Sequence, residues 1–157
     1  PGSETLPESP AIRFPPPLYF VAGFLIGLAL ERVVPLPSAT PLPARIAGAV
    51  LIGASALLAG SAVYRFRRSR TSVLPHRPAS AFVAQGPYRF TRNPMYVGMS
   101  LLYLGIAVLT GAAWAILLLP LVVFTVDRRV IRREEAYLER RFGPDYVRYK
   151  RQVRRWV

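Results

Sequence analysis

Two short blocks of this chain collect the side chains able to do chemistry. The first is Ala84-Gln85-Gly86-Pro87-Tyr88-Arg89-Phe90-Thr91-Arg92-Asn93-Pro94-Met95-Tyr96, and the second runs from Glu134-Glu135 to Trp156. Gly86-Pro87 predicts a tight turn, with φ preset at Pro87 and left free at Gly86. Asn93-Pro94 predicts a helix start. Asn93 is expected to cap it by accepting from free backbone N–H groups, and Pro94 lacks only an N–H that would go unpaired. Such a helix mouth offers bare amides and a positive dipole end to an anion. A plain loop with a good cap explains Gly86, Pro87, Asn93 and Pro94. It does not explain Tyr88, Arg92 and Tyr96 around them.

In the second block Ile131, Glu135, Leu138 and Phe142 share one helix face. Glu135 is therefore expected to point inward on an otherwise apolar stripe, with Glu134 beside it towards Val130 and Tyr137. Arg128, Arg129, Arg132, Arg133, Arg140 and Arg141 mostly cover the rest, where surface ion pairs at helical spacing are the plainer explanation. A carboxylate on the stripe is costly unless paired, either by a ligand or by Arg132 three residues earlier. Glu134 and Glu135 supply acceptors, Arg92 and the amides near Asn93 supply donors, and Tyr88 and Tyr96 supply flat walls.

GPYRFTRNPMYVG followed by EEAYLERRFGPDYVRYKRQVRRW resembles the isoprenylcysteine carboxyl methyltransferase-like family of integral-membrane methyltransferases, relatives of the phospholipid methyltransferases. The resemblance spans residues 80–156, with the blocks in the family's order. It implies S-adenosylmethionine as methyl donor, bound by Gly86, Tyr88, Arg92, Asn93, Pro94, Tyr96, Glu134 and Glu135. It also implies that Glu135 orients the cofactor or substrate, or takes a proton from an amine or thiol. Eukaryotic members use an arginine just upstream of the Glu pair. Val130 occupies that register here, so Arg129, Arg132 and Arg133 compete for the role.

Ser80 and Asn93 stand where eukaryotic members carry His, and His76 is out of register. These departures bear on isoprenylcysteine specificity, and the resemblance implies a small lipophilic acceptor with an isoprenylcysteine-like carboxylate, a lipid amine or a thiol. Methyl transfer from a sulfonium is an in-line displacement that needs alignment and exclusion of water, without a metal. Membrane sterol reductases resemble the C-terminal blocks as well, which makes an NADPH-dependent reductase the alternative. A non-enzymatic basic membrane module is the third reading and predicts no cofactor.

Composition sets the stage for these blocks. The chain is 52% hydrophobic with a mean hydropathy of +0.29, yet its net charge is +13 and its pI about 11.3. A membrane protein with basic flanks combines those values naturally. Residues 65–92 hold seven arginines and no acid, and residues 127–157 hold eleven basic and five acidic residues. Because this charge borders apolar runs, orientation in a bilayer and contact with anionic lipids explain it better than nucleic-acid binding. With no cysteine and His76 alone, thiolate chemistry is excluded and a metal site is not expected. No GxGxxG or phosphate-loop motif is present, so any cofactor must be held by the two blocks.

The elements that must position the blocks form an all-α integral-membrane protein with about four transmembrane helices. Cytosolic C-terminal helices complete a cofactor pocket. Residues 1–17 are expected to be a disordered cytosolic tail. Residues 18–64 should hold two spans, Leu18–Val34 and Ile46–Tyr64, joined by a proline-rich loop. Gly23 and Gly27 suit close packing in the first span. Ala49, Gly53, Ala56 and Gly60 are the expected packing stripe of the second. Residues 65–157 form the catalytic core: a cytosolic loop, a helical hairpin over 95–126 broken at Thr110-Gly111, and C-terminal helices. Pro120 is expected to kink the fourth span. Glu31, beside Arg32 at the end of the first span, reads as structural. Gly143-Pro144 should end a charged helix, after which Tyr146, Tyr149, Val153 and Trp156 predict a short amphipathic one. A bacterial inner membrane with both termini cytosolic fits this layout.

Overall fold

Prolines open several of the helices. In the computed structural model, which describes residues 14–68 and 84–157, helix α1 (Pro16–Val33) starts on two prolines, and α2 (Leu42–Arg68) takes Pro43 in its first turn. Proline is tolerated there because the first turn has no N–H to lose. The tail therefore gives way to helix at Pro16, two residues earlier than expected. A 3-10 turn (Gly86–Arg89) precedes α3 (Pro94–Thr110), and Gly111 closes α3 in the left-handed region at φ 66°. Helix α4 (Ala113–Val126) follows, then a π turn (Asp127–Ile131), then α5 (Arg132–Gln152), which breaks at Gly143 with φ 53°. The described residues are mostly helical and contain no strand. The disorder expected of the N-terminal tail up to residue 13, the out-of-register His76, Ser80 and the stretch from Ala81 to Val83 lie outside the described residues.

α1 and α2 are long and apolar enough to cross a membrane, while α3 is a shorter apolar helix. Only 22% and 17% of their apolar windows are buried in the protein, so neither is the core helix of a water-soluble domain. Leu25, Val50, Leu57, Leu117 and Leu121 all face outward. An apolar surface of that extent belongs in lipid.

Inside the bundle α2 packs on α3, and α1 on α4. Gly23 and Gly27 make the second contact as expected. A Cβ on Gly27 would stand 2.7 Å from the backbone N and Cα of Ala115. The stripe Ala49–Gly53–Ala56–Gly60 does not pack against the described residues: all four are exposed, and none of those residues lies within 4 Å of a Cβ built on Gly53 or Gly60. The packed face is one residue round, at Gly48, Ile52, Ser55, Ala59 and Ala62. Both faces are mostly small and apolar, and the packed one carries a hydroxyl that bonds across to α3. Ser55 Oγ donates to Gly98 O at 2.7 Å, a bond available only where the backbones approach closely. Gly27→Ala should therefore cost about 1–3 kcal/mol through overpacking, and Gly53→Ala should be neutral. Thermal melts of both variants in detergent check this, and equal melting temperatures would refute the α1–α4 contact.

Glu31 is a clasp. Its carboxylate accepts from Leu36 N at 3.1 Å and from Trp114 N, in the first turn of α4, at 3.2 Å. Trp114 Nε1 donates back to Val34 O at 2.7 Å. The first acid of the span thus caps a neighbouring helix, where a negative charge suits the dipole. Pro120 is carried inside α4 without interrupting it, and an irregular turn follows at Asp127.

Candidate functional site

The two blocks meet at one end of the bundle. Gly86 adopts φ 64°, and a Cβ there would stand 2.7 Å from Arg65 Nε, so glycine serves both the turn and the approach of α2. The turn buries Tyr88 against Ala62 and Met95. Tyr88 O accepts from Tyr149 Oη at 2.7 Å, which ties the turn to the far part of α5. Burial first, then the neighbouring Tyr149 and Glu134, holds the Tyr88 phenol neutral well above its ordinary range.

Asn93 occupies the cap position, but its side chain does not cap. Its Nδ2 donates to Arg155 O at 2.9 Å, and its own N–H donates to Thr91 Oγ1 at 3.1 Å. The reason is the C-terminal segment. α5 ends at Gln152, Val153 is extended, and residues 153–156 return along residues 91–93 instead of continuing the expected helix. Arg92 N donates to Arg154 O at 2.9 Å, and Thr91 Oγ1 donates to Arg155 O at 3.1 Å. These carbonyls compete for the polar groups the sequence assigns to the helix cap.

Glu135 does face inward, with 5% of its surface exposed. Arg132 is not its partner: that side chain is about half exposed and bonds Asp127 Oδ2 at 3.2 Å. Two other arginines flank Glu135. Arg155 grips it with both ends of its fork, Nε to Oε1 at 3.1 Å and Nη2 to Oε2 at 2.7 Å. Arg92 Nη1 lies 3.0 Å from Oε1, close enough for an ion pair, yet without hydrogen-bond geometry. Arg92 Nε is buried with no hydrogen-bond partner among the described residues. An orphaned guanidinium donor of this kind is costly to keep in a fold.

Glu134 takes a different environment. Tyr96 Oη donates to its Oε1 at 2.9 Å. Burial pushes the Glu134 carboxyl up to about 7, the Tyr96 bond opposes this, and the adjacent Glu135 adds to it. The two neighbouring carboxyls thus sit in different surroundings: guanidinium groups hold Glu135, while burial favours the protonated form of Glu134.

The structure therefore brings together Gly86, Tyr88, Arg92, Asn93, Pro94, Tyr96, Glu134 and Glu135, and it leaves Arg129 and Arg132 on the exposed side of the helix. Sequence reasoning missed Asp127 and Arg155. Asp127 accepts from Arg132, Arg155 and Trp156 Nε1, the last at 3.3 Å. Its position as the first acid after an apolar run was the available signal. Arg155 gave none, being one of many arginines.

Comparison with known proteins identifies the family. A profile of the family described as phospholipid methyltransferase matches residues 43–145. An uncharacterized protein of Haemophilus influenzae is 38% identical over 63 residues, covering 40% of this chain and all of that protein. The protein-S-isoprenylcysteine O-methyltransferase of Schizosaccharomyces pombe is 38% identical over 71 residues, which are 45% of this chain and 30% of that enzyme. No solved structure matches significantly. The profile covers more than half of the sequence and reaches from α2 to beyond the Glu134–Glu135 pair, and on that ground the chain belongs to the phospholipid methyltransferase family.

Proposed function

We propose that the chain is an integral-membrane methyltransferase that uses S-adenosylmethionine to methylate a small lipophilic acceptor arriving from the bilayer. The observation that carries this reading is the buried Arg92, with an unspent Nε donor, between the paired glutamates and the start of α3. The donor set fits the proposed cofactor. Arg92 would hold a carboxylate, Glu135 an ammonium or ribose hydroxyl, and Tyr88 and Tyr96 would flank the flat part. When bound, S-adenosylmethionine supplies an electrophilic methyl group on a sulfonium. The chain's own work is to align the acceptor and exclude water. Where the acceptor has a proton to lose, Glu134 takes it, since its carboxyl titrates near neutrality and Glu135 is occupied by two guanidinium groups. Purified protein is expected to bind S-adenosylhomocysteine and not NADPH in calorimetry. The reverse preference would make it a reductase.

All four apolar helices cross the bilayer in this reading, with residues 84–93 and 127–157 on the cytosolic side. Arg128 lies 5.1 Å over the ring of the exposed Phe124, as suits a cation at the lipid boundary facing anionic headgroups. Single cysteines at the exposed Gln85 and Gln152 should label from the same face of sealed vesicles. Labelling from opposite faces would remove the four-span topology.

A further inference from the structure

Asp127 and Glu135 stand eight residues apart. On an uninterrupted α-helix, at about 100° per residue, their side chains would diverge by about 80°. The π turn Asp127–Ile131 absorbs one extra residue, so the pair is spaced like seven ordinary residues and diverges by only about 20°. One guanidinium then reaches both acids. Arg155 bonds both oxygens of Glu135, and its Nη1 lies 3.4 Å from each oxygen of Asp127. Its charge is also held more firmly, first by the Glu135 bond and then by Asp127.

The Arg155 backbone is anchored independently of its side chain, through the carbonyls of Arg154 and Arg155. Those bonds, with Trp156 packed on the core, hold the segment without the Arg155 side chain. The fork therefore does something else, and the geometry on Glu135 says what. Arg92 is near Glu135 without bonding it, so both oriented hydrogen bonds on that carboxylate come from Arg155. We propose that Arg155 is a positioning residue, which fixes Glu135 beside Arg92, leaves Nε and Nη1 of Arg92 unspent, and so sets the affinity of the site for its cofactor. This rests on the reading of the site as one for S-adenosylmethionine.

The test is a double-mutant cycle on the full chain in detergent. S-adenosylhomocysteine binding is measured for wild type, Arg155→Lys, Glu135→Gln and the double variant, with melting curves alongside. Lysine keeps the charge and the backbone anchors but cannot grip two oxygens in parallel. Arg155→Lys should melt like wild type and bind about tenfold more weakly. In the Glu135→Gln background the same change should cost nothing further. An equal loss in both backgrounds, or unchanged affinity in the first, overturns the proposal. If Arg155→Lys does not fold, Arg155→Gln is measured instead, and failure of both makes Arg155 a purely structural residue. Absence of binding by wild type removes the cofactor reading itself, and the proposal with it.

Discussion

Glu135→Gln is expected to lower stability by about 3–5 kcal/mol, the usual loss when one partner of a buried ion pair is removed. Affinity for S-adenosylhomocysteine should also fall, by about 1–3 kcal/mol for a lost charge-assisted hydrogen bond. The first figure follows from what Glu135 leaves behind. The Arg92 side chain is only 10% exposed, so its charge cannot turn to water, and Glu135 is the carboxylate beside it. Arg155 suffers less, since 30% of its side chain is exposed and Asp127 remains within reach. The pair Lys150–Glu139, with side chains 35% and 41% exposed, makes the contrast. Lys150→Ala should cost no more than about 1 kcal/mol, as surface pairs generally do.

A double variant separates the two losses. Arg92→Met with Glu135→Gln removes the buried charge together with its counterion, so most of the stability should return. None of the affinity should, because the proposed donor and acceptor are both gone. Melting curves and calorimetry on the three proteins decide the matter. A single Glu135→Gln variant that melts like wild type would show that Glu135 does not neutralise Arg92.

Much of this site was legible because local rules fix local geometry. The 3.6-residue period alone turned Glu135 inward, and Gly86-Pro87 and Asn93-Pro94 marked a turn and a helix start that the structure contains. The partners of those residues were not legible. Arg132 was the nearest candidate for Glu135 in sequence, but the π turn rotates Asp127 into Arg132's reach and hands Glu135 to Arg155, twenty residues later. Nothing in Asp127–Ile131 announces a π turn, which forms where tertiary contacts reward the extra residue. The same holds for α2. Two faces rich in small residues lie one position apart, and the face that carries Ser55 and Ile52 is the one that meets α3. Apolar composition places a helix in lipid without specifying its rotation.

Glu134→Gln should make the chain more stable at pH 8 and change nothing at pH 4.5. In the folded chain burial raises the carboxyl from its ordinary 4.5 to about 7. Between those values the folded state keeps a proton that the unfolded state has released, so stability falls as pH rises. The contribution is fully present below about 4.5 and lost once pH passes about 7. A shift of that size corresponds to at most about 3 kcal/mol. Glutamine carries no such penalty and still offers Tyr96 an amide oxygen to bond. The difference between variant and wild type, followed by melting from acid to mildly alkaline pH, isolates this carboxyl from every other acid in the chain. Tyr96→Phe supplies the opposite displacement. The Tyr96 hydroxyl favours the ionised form of Glu134, so its removal should move the midpoint of the pH curve upward. Wild type and Glu134→Gln that lose stability in parallel across this range would show that Glu134 is ionised throughout, and would take from it the role of proton acceptor.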